Sequence, residues 1–124
     1  MSEITNTEFE VLEALWVKHP ATANDIIKQL NNDKPWHDKT VKTLINRLVK
    51  KEAIGFEKQD RHYLYFPLLE RDAYTEKQSN SFIERLFRGR VSPLVAGFAK
   101  TNNLKKEDID ELKLLISKWE QEND

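Results

Sequence analysis

The sequence predicts a mainly α-helical chain, with three short helices closed by a β-hairpin and followed by three more helices. Three observations carry that prediction. Two boxes of the form S/T-x-x-D/E, Thr5-Asn6-Thr7-Glu8 and Thr22-Ala23-Asn24-Asp25, each stand just ahead of apolar residues at helical spacing. The run at 38–51, DKTVKTLINRLVKK, repeats apolar residues at i, i+3, i+4, i+7 and i+8. Residues 53–66 alternate with period two around a short polar turn.

Helix one is expected over 6–18, with Phe9, Leu12, Leu15 and Trp16 on one stripe and His19-Pro20 as its stop. Trp16 reads as a core residue. Helix two, over 23–31, carries Ile26, Ile27 and Leu30. Residues 31–35 form a turn, and Trp36-His37 leads into the third helix. There Val41, Leu44, Ile45, Leu48 and Val49 make the inner stripe. Strands at 53–58 and 61–66 are expected around a turn at Gln59-Asp60. Tyr63 and Tyr65 share one face of the hairpin, Leu64 and Phe66 the other. Pro67 has no N–H to donate and ends the pairing. Three helices closed by a hairpin are a winged helix-turn-helix, assigned here to residues 1–69.

From residue 70 the pattern changes. A helix to about residue 88 carries Tyr74, Phe82, Ile83, Leu86 and Phe87 and is ended by Gly89. Ser92-Pro93 predicts the next start, with Ser92 as N-cap and Pro93 at the first helical position. Leu94, Val95 and Phe98 belong to that brief helix, which closes near Asn102-Asn103. The last helix, about 106–121, lines up Ile109, Leu112, Leu115, Ile116 and Trp119. Three such helices are too short to cover their own apolar stripes, so residues 70–124 are expected to dimerise with a second copy. Phe82, Leu86, Phe87, Leu112, Leu115, Ile116 and Trp119 are the residues expected at that interface.

Bulk composition narrows the function classes. A chain of 124 residues, 33% charged and 39% hydrophobic, suits one small domain with an oligomerising appendage. No apolar run is long enough for a membrane span, and the opening Met-Ser-Glu-Ile-Thr is acidic and polar, unlike a targeting segment. With no cysteine there is no disulfide or thiolate metal site, which fits a cytoplasmic protein. No metal and no cofactor are expected. His19, His37 and His62 lack neighbours at metal-ligand or nucleophile–base spacing, and three glycines form no phosphate-binding loop. An enzyme is therefore not expected. Asp108, Asp110 and Glu111, and Glu120 and Glu122, read as solvated helix faces.

The chemistry is concentrated on the outer face of the third helix. Lys39, Lys42, Thr43, Asn46 and Lys50 share a second stripe, opposite the apolar one. Between Lys39 and Lys51 there are five basic residues and no acid, in a chain of net charge −1. A groove-reading helix needs donors that reach base edges and cations that neutralise phosphate. Thr43 offers a hydroxyl to a base or a methyl to thymine. Lys39 and Lys42 suit either guanine or a phosphate, and Asn46 suits adenine. Thr40, Lys50 and Lys51 are placed on phosphates, and Arg61, flanking the wing tip with Lys58, on phosphate or the minor groove. The helix-two amides near Thr22 to Asn24 suit a backbone phosphate. Arg47, at the border of the buried stripe, is either a DNA contact or half of an ion pair with a first-helix carboxylate. Trp36 is expected under the recognition helix. The competing reading is a winged-helix interaction module whose 39–50 face docks an acidic protein without specific DNA binding.

With these motifs in place, the chain resembles the penicillinase-repressor family of winged-helix regulators. The resemblance rests on the stretches at 7–12 (TEFEVL), 39–48 (KTVKTLINRL), 65–68 (YFPL), 81–87 (SFIERLF) and 109–112 (IDEL). It implies a homodimeric transcriptional repressor on palindromic operators of resistance genes, released when a sensor-linked protease cuts the dimerisation region. The chain departs from the family pattern in places. His37-Asp38 replaces a common Ser-Pro before the recognition helix, although Asp38 still suits the helix dipole. Glu52 replaces a glycine at that helix's end; a left-handed Glu52 would carry about 1 kcal/mol of strain. Lys105 stands where a Ser or Thr cap is usual. The family's Asn-Phe cleavage pair aligns with Gly97-Phe98, which is either that regulatory bond or a core phenylalanine beside a small residue. Copper-responsive relatives use Cys-x-Cys pairs that this chain lacks, so release by that metal route is not expected.

Overall fold

The computed structural model describes residues 3–123. Its elements run α1 (Asn6–Val17), α2 (Ala23–Leu30), α3 (Asp38–Lys50), β1 (Ile54–Gln59), β2 (His62–Pro67), α4 (Arg71–Phe87), α5 (Ser92–Lys100) and α6 (Lys106–Glu122). The chain forms two compact units, the first ending at Thr75 and the second beginning at Glu76, inside α4.

Both sequence boxes are real helix starts. Thr5 accepts from the Glu8 N–H while Glu8 accepts from the Thr5 N–H, and Thr22 and Asp25 repeat the exchange at α2. In the first unit α1, α2 and α3 close over one core of Val11, Leu12, Leu15, Ile26, Ile45, Leu48 and Ile54, each at most 1% exposed. The buried face of α1 is rotated from the predicted stripe. Glu8, Val11, Leu12, Ala14 and Leu15 are inside, whereas Phe9 and Trp16 are half-buried and meet Tyr74 of α4 at ring separations of 6.0 and 5.9 Å. Trp16 also donates its indole N–H to the Leu69 carbonyl, 2.8 Å away.

β1 and β2 pair antiparallel from Ile54↔Pro67 to Gln59↔His62. The turn is therefore Asp60-Arg61, one residue later than predicted, because Asp60 takes the left-handed conformation (φ +54°) that Asp tolerates. Gly55 leaves room for the Phe66 ring, since a Cβ there would lie 3.0 Å from it. A bridge from Ala21 to Tyr65 ties the hairpin to the α1–α2 connection through two backbone bonds. Tyr63 and Tyr65 lie together on one face, as the alternation predicts, and Phe56 of β1 joins them there.

In the second unit α4 ends at Gly89 (φ +82°), whose N–H bonds to the Ile83 carbonyl. Ser92 is not the N-cap of α5. Val91 holds that position in a helical conformation with no side-chain cap bond, so the Ser92 hydroxyl already lies within the helix. Lys105 leads α6 in extended conformation, and Asp108 accepts its N–H at 3.4 Å. No residue of α4, α5 or α6 is buried. No helix among the described residues is long and apolar enough to cross a membrane.

Candidate nucleic-acid interface

The inner face of α3 is anchored completely: Val41, Leu44, Ile45 and Leu48 are at most 3% exposed. That anchorage turns Lys39, Thr40, Lys42, Thr43, Asn46, Arg47 and Lys50 outward, and all seven are exposed. The helix starts at His37, whose Nδ1 accepts from the Lys39 N–H at 3.3 Å, with Asp38 in the first turn. It ends by bonds from the Glu52 N–H to Val49 and from the Ala53 N–H to Leu48, with Glu52 left-handed at φ +62°. The expected strain at Glu52 is present. Trp36 packs half-buried against the core, with the Lys34 ammonium 5.1 Å from its ring centre.

Bonds within the chain narrow what two groups can do. Thr43 donates its hydroxyl proton to the Lys39 carbonyl, 2.9 Å away, so it presents a lone pair and a methyl to an approaching base rather than a donor. Lys51 does not project with the other cations. Its ammonium bonds the Glu8 carboxylate, which is 1% exposed, and also the Glu3 carbonyl at 2.7 Å. The ion pair to a first-helix carboxylate, one of the two roles open to Arg47, is made by Lys51, and Arg47 has no acidic partner among the described residues. Burial pushes the Glu8 carboxyl up, but the Lys51 bond and the two Thr5 bonds outweigh it and hold the group below its ordinary 4.5. Glu8 lay hidden in the sequence as a cap residue. The signal that could have found it is its spacing to Val11, Leu12 and Leu15, which puts it on the buried face.

At the α2 N-terminus the Thr22 N–H donates to Asp25 Oδ2 at 3.1 Å, so the Thr22 amide, one of those foreseen for a phosphate, is already bonded within the capping box. The Thr22 backbone and side-chain bonds hold the Asp25 carboxyl below its ordinary value, which keeps a negative charge there. At the wing, Arg61 occupies the exposed turn, and Lys58 pairs with Tyr63 in the strand behind it.

In the second unit Phe82, Leu86, Leu115, Ile116 and Trp119 are exposed, while Phe87 and Leu112 are half-buried. Leu114, outside the predicted stripe, is 71% exposed. Gly97 has open space around its Cα, and Phe98 is 46% exposed, so Phe98 is not a core residue of this chain by itself. Val95, Phe98, Leu104, Leu112 and Leu115 line a cavity of about 370 Å³ between α5 and α6.

The chain is similar to known proteins. The family profile described as Penicillinase repressor matches residues 4–118. The methicillin resistance regulatory protein MecI of Staphylococcus aureus (strain N315) is 35% identical over 116 residues, covering 94% of each chain. The penicillinase repressor of Bacillus licheniformis is 33% identical over 110 residues, which are 89% of this chain and 86% of that one. The solution structure of the Bacillus licheniformis BlaI monomeric form in complex with the blaP half-operator aligns at a TM-score of 0.51 and 32% identity. The alignment spans 59% of this chain and 89% of the other. A cation-studded helix on an apolar anchor, a hairpin wing and three uncovered C-terminal helices are thus found together along nearly the whole length of this sequence, and the chain belongs to the penicillinase repressor family.

Proposed function

We propose that this chain is a transcriptional repressor that binds a palindromic operator as a homodimer and controls a resistance gene. The observation that carries the reading is the division of α3 into a sealed apolar face and an outward face with six exposed groups suited to DNA: Lys39, Thr40, Lys42, Thr43, Asn46 and Lys50. Thr43, Lys42 and Asn46 are assigned to base edges and Lys39, Thr40 and Lys50 to the backbone, where the two lysines neutralise phosphates and Thr40 offers a hydroxyl. Arg61 adds a contact from the wing. Lys51 is left out of the interface because Glu8 holds it.

The dimer reading is supported by the second unit, where Phe82, Leu86, Leu115, Ile116 and Trp119 stand exposed with no residue of α4–α6 buried. Release is assigned to a sensor-linked protease cutting at Gly97–Phe98. A protease needs extended backbone, and Gly97 weakens α5 at that point by about 1 kcal/mol relative to alanine.

The test is selection of binding sites from a pool of random duplexes, followed by titration of the winner across salt. A palindrome should emerge, with half-sites about one helical turn or a multiple apart. Its affinity should fall on a log–log plot against salt with a slope of about −0.9 per neutralised phosphate. Recovery of no preferred duplex, with binding only to acidic proteins, overturns the reading. For release, mass spectrometry of the chain from induced cells should reveal a fragment ending at Gly97; intact chain during full induction removes the cleavage step.

A further inference from the structure

We infer that Glu8 and Lys51 are a positioning pair for operator recognition, fixing the C-terminal end of α3 on α1 so that the outward residues reach their bases in register. The inference rests on the DNA-binding reading above and adds to it residues that touch no DNA.

Four observations converge on the pair. Glu8 is the one charged residue in the core among the described residues. Its Oε1 accepts from both the Lys51 ammonium and the Thr5 N–H, and its Oε2 is buried with no partner. Glu8 already caps the Thr5 N–H, but a cap does not require a core position, and a buried carboxylate with one oxygen unpartnered, where apolar packing would also serve, points to a directional task. Lys51 is the C-cap of α3, and its second bond, to the Glu3 carbonyl, fixes the ammonium from another direction. The site also lies at the corner where the two DNA-facing elements join. Ala53, two residues after Lys51, accepts from the N–H groups of Leu68 and Leu69 at 2.9 and 3.2 Å, just before β1 begins at Ile54. Apolar packing along Val41, Leu44, Ile45 and Leu48 resists separation of α3 from the core but is non-directional, so it permits sliding and rolling. The pair removes that freedom at one end.

The test uses the full-length chain, the duplex that the wild type enriches from a random pool, and an unselected duplex of the same length. Glu8→Leu combined with Lys51→Met replaces the pair by apolar groups of similar volume, and thermal melting checks that the fold is kept. The expected result is a cooperative melt lowered by no more than the lost Thr5 cap, a ratio of selected to unselected affinity reduced about tenfold (the worth of one weakened base contact), and an unchanged salt slope. If the double variant is unfolded, Glu8→Gln is measured in its place, well below its own melting temperature, with the same readouts. A wild-type affinity ratio in a folded variant overturns the inference, because the pair is then structural only. A salt slope smaller by about 0.9 per protomer in Lys51→Met also overturns it, because Lys51 is then a phosphate contact. A wild-type chain that enriches no duplex overturns the operator reading and this inference together.

Discussion

The Thr43 hydroxyl donates to the carbonyl oxygen of Lys39, 2.9 Å away and one helical turn back along α3. This bond orients the side chain, because it leaves the oxygen lone pairs and the γ-methyl as the groups that face outward. Amino groups of adenine or cytosine and the thymine methyl are then the base features that Thr43 can read.

Thr43→Ala should cost about 1–3 kcal/mol against the selected operator and clearly less against random duplex. Thr43→Val keeps the methyl and loses the acceptor, and Thr43→Ser does the reverse. Gel-shift titration of the three variants tells which group is read. Equal losses on operator and random DNA would remove Thr43 from base readout.

Glu8 contributes to acid stability. Its folded-state carboxyl lies below its ordinary 4.5. The contribution is therefore complete above pH 4.5, and it is lost as pH falls further, through the lower folded value. Glu8→Gln leaves the Lys51 ammonium without a counter-charge and should cost about 3 kcal/mol at neutral pH. Denaturant unfolding from pH 7 to pH 3 should show wild type and variant converging in acid. A constant gap across that range would mean that the carboxylate charge is not what stabilises the site.

Glu52 offers the opposite sign. Its φ of +62° is strained for a residue with a Cβ. Glu52→Gly should stabilise the first unit by about 0.5–1 kcal/mol, read as a higher urea midpoint with an unchanged slope. Glu52→Ala keeps the Cβ and should give no such gain.

Trp16→Phe removes the 2.8 Å bond to the Leu69 carbonyl while keeping an aromatic ring beside Phe9 and Tyr74. A loss of about 1–2 kcal/mol is expected in equilibrium unfolding. A neutral result would mean that water replaces the indole as donor to Leu69.

The exposed C-terminal stripe gives the clearest change in mass. Leu112→Asp or Trp119→Asp places a charge in the proposed dimer contact and should yield a monomer by sedimentation velocity. Loss of the second half-site contact should lower operator affinity by roughly two decades or more. A dimer of unchanged mass would put the interface elsewhere.

The helices, the hairpin and the faces that α2 and α3 turn inward are legible in the sequence because capping boxes and apolar periods act within a few residues, whereas the inward face of α1 is rotated from its apolar stripe toward Glu8 and Val11. Thr5–Glu8, Thr22–Asp25 and the stripe from Val41 to Leu48 needed no tertiary information. The errors occur where two local solutions differ little. The hairpin turn moved by one residue because Asp60 accepts a left-handed conformation, and Val91 displaced Ser92 from the α5 cap.

What the sequence by itself determined, then, is an amphipathic recognition helix with a cationic outer stripe, set in a winged scaffold. Tertiary structure alone decided which cations stay available. Lys51 and Arg47 are both basic and four residues apart, yet only Lys51 meets the buried Glu8, a partner 43 positions away in the chain. The physical reason is range. Helix periodicity and caps are set by neighbours within one or two turns, whereas the partner of a long flexible cation depends on which distant carboxylate folding carries within reach of it.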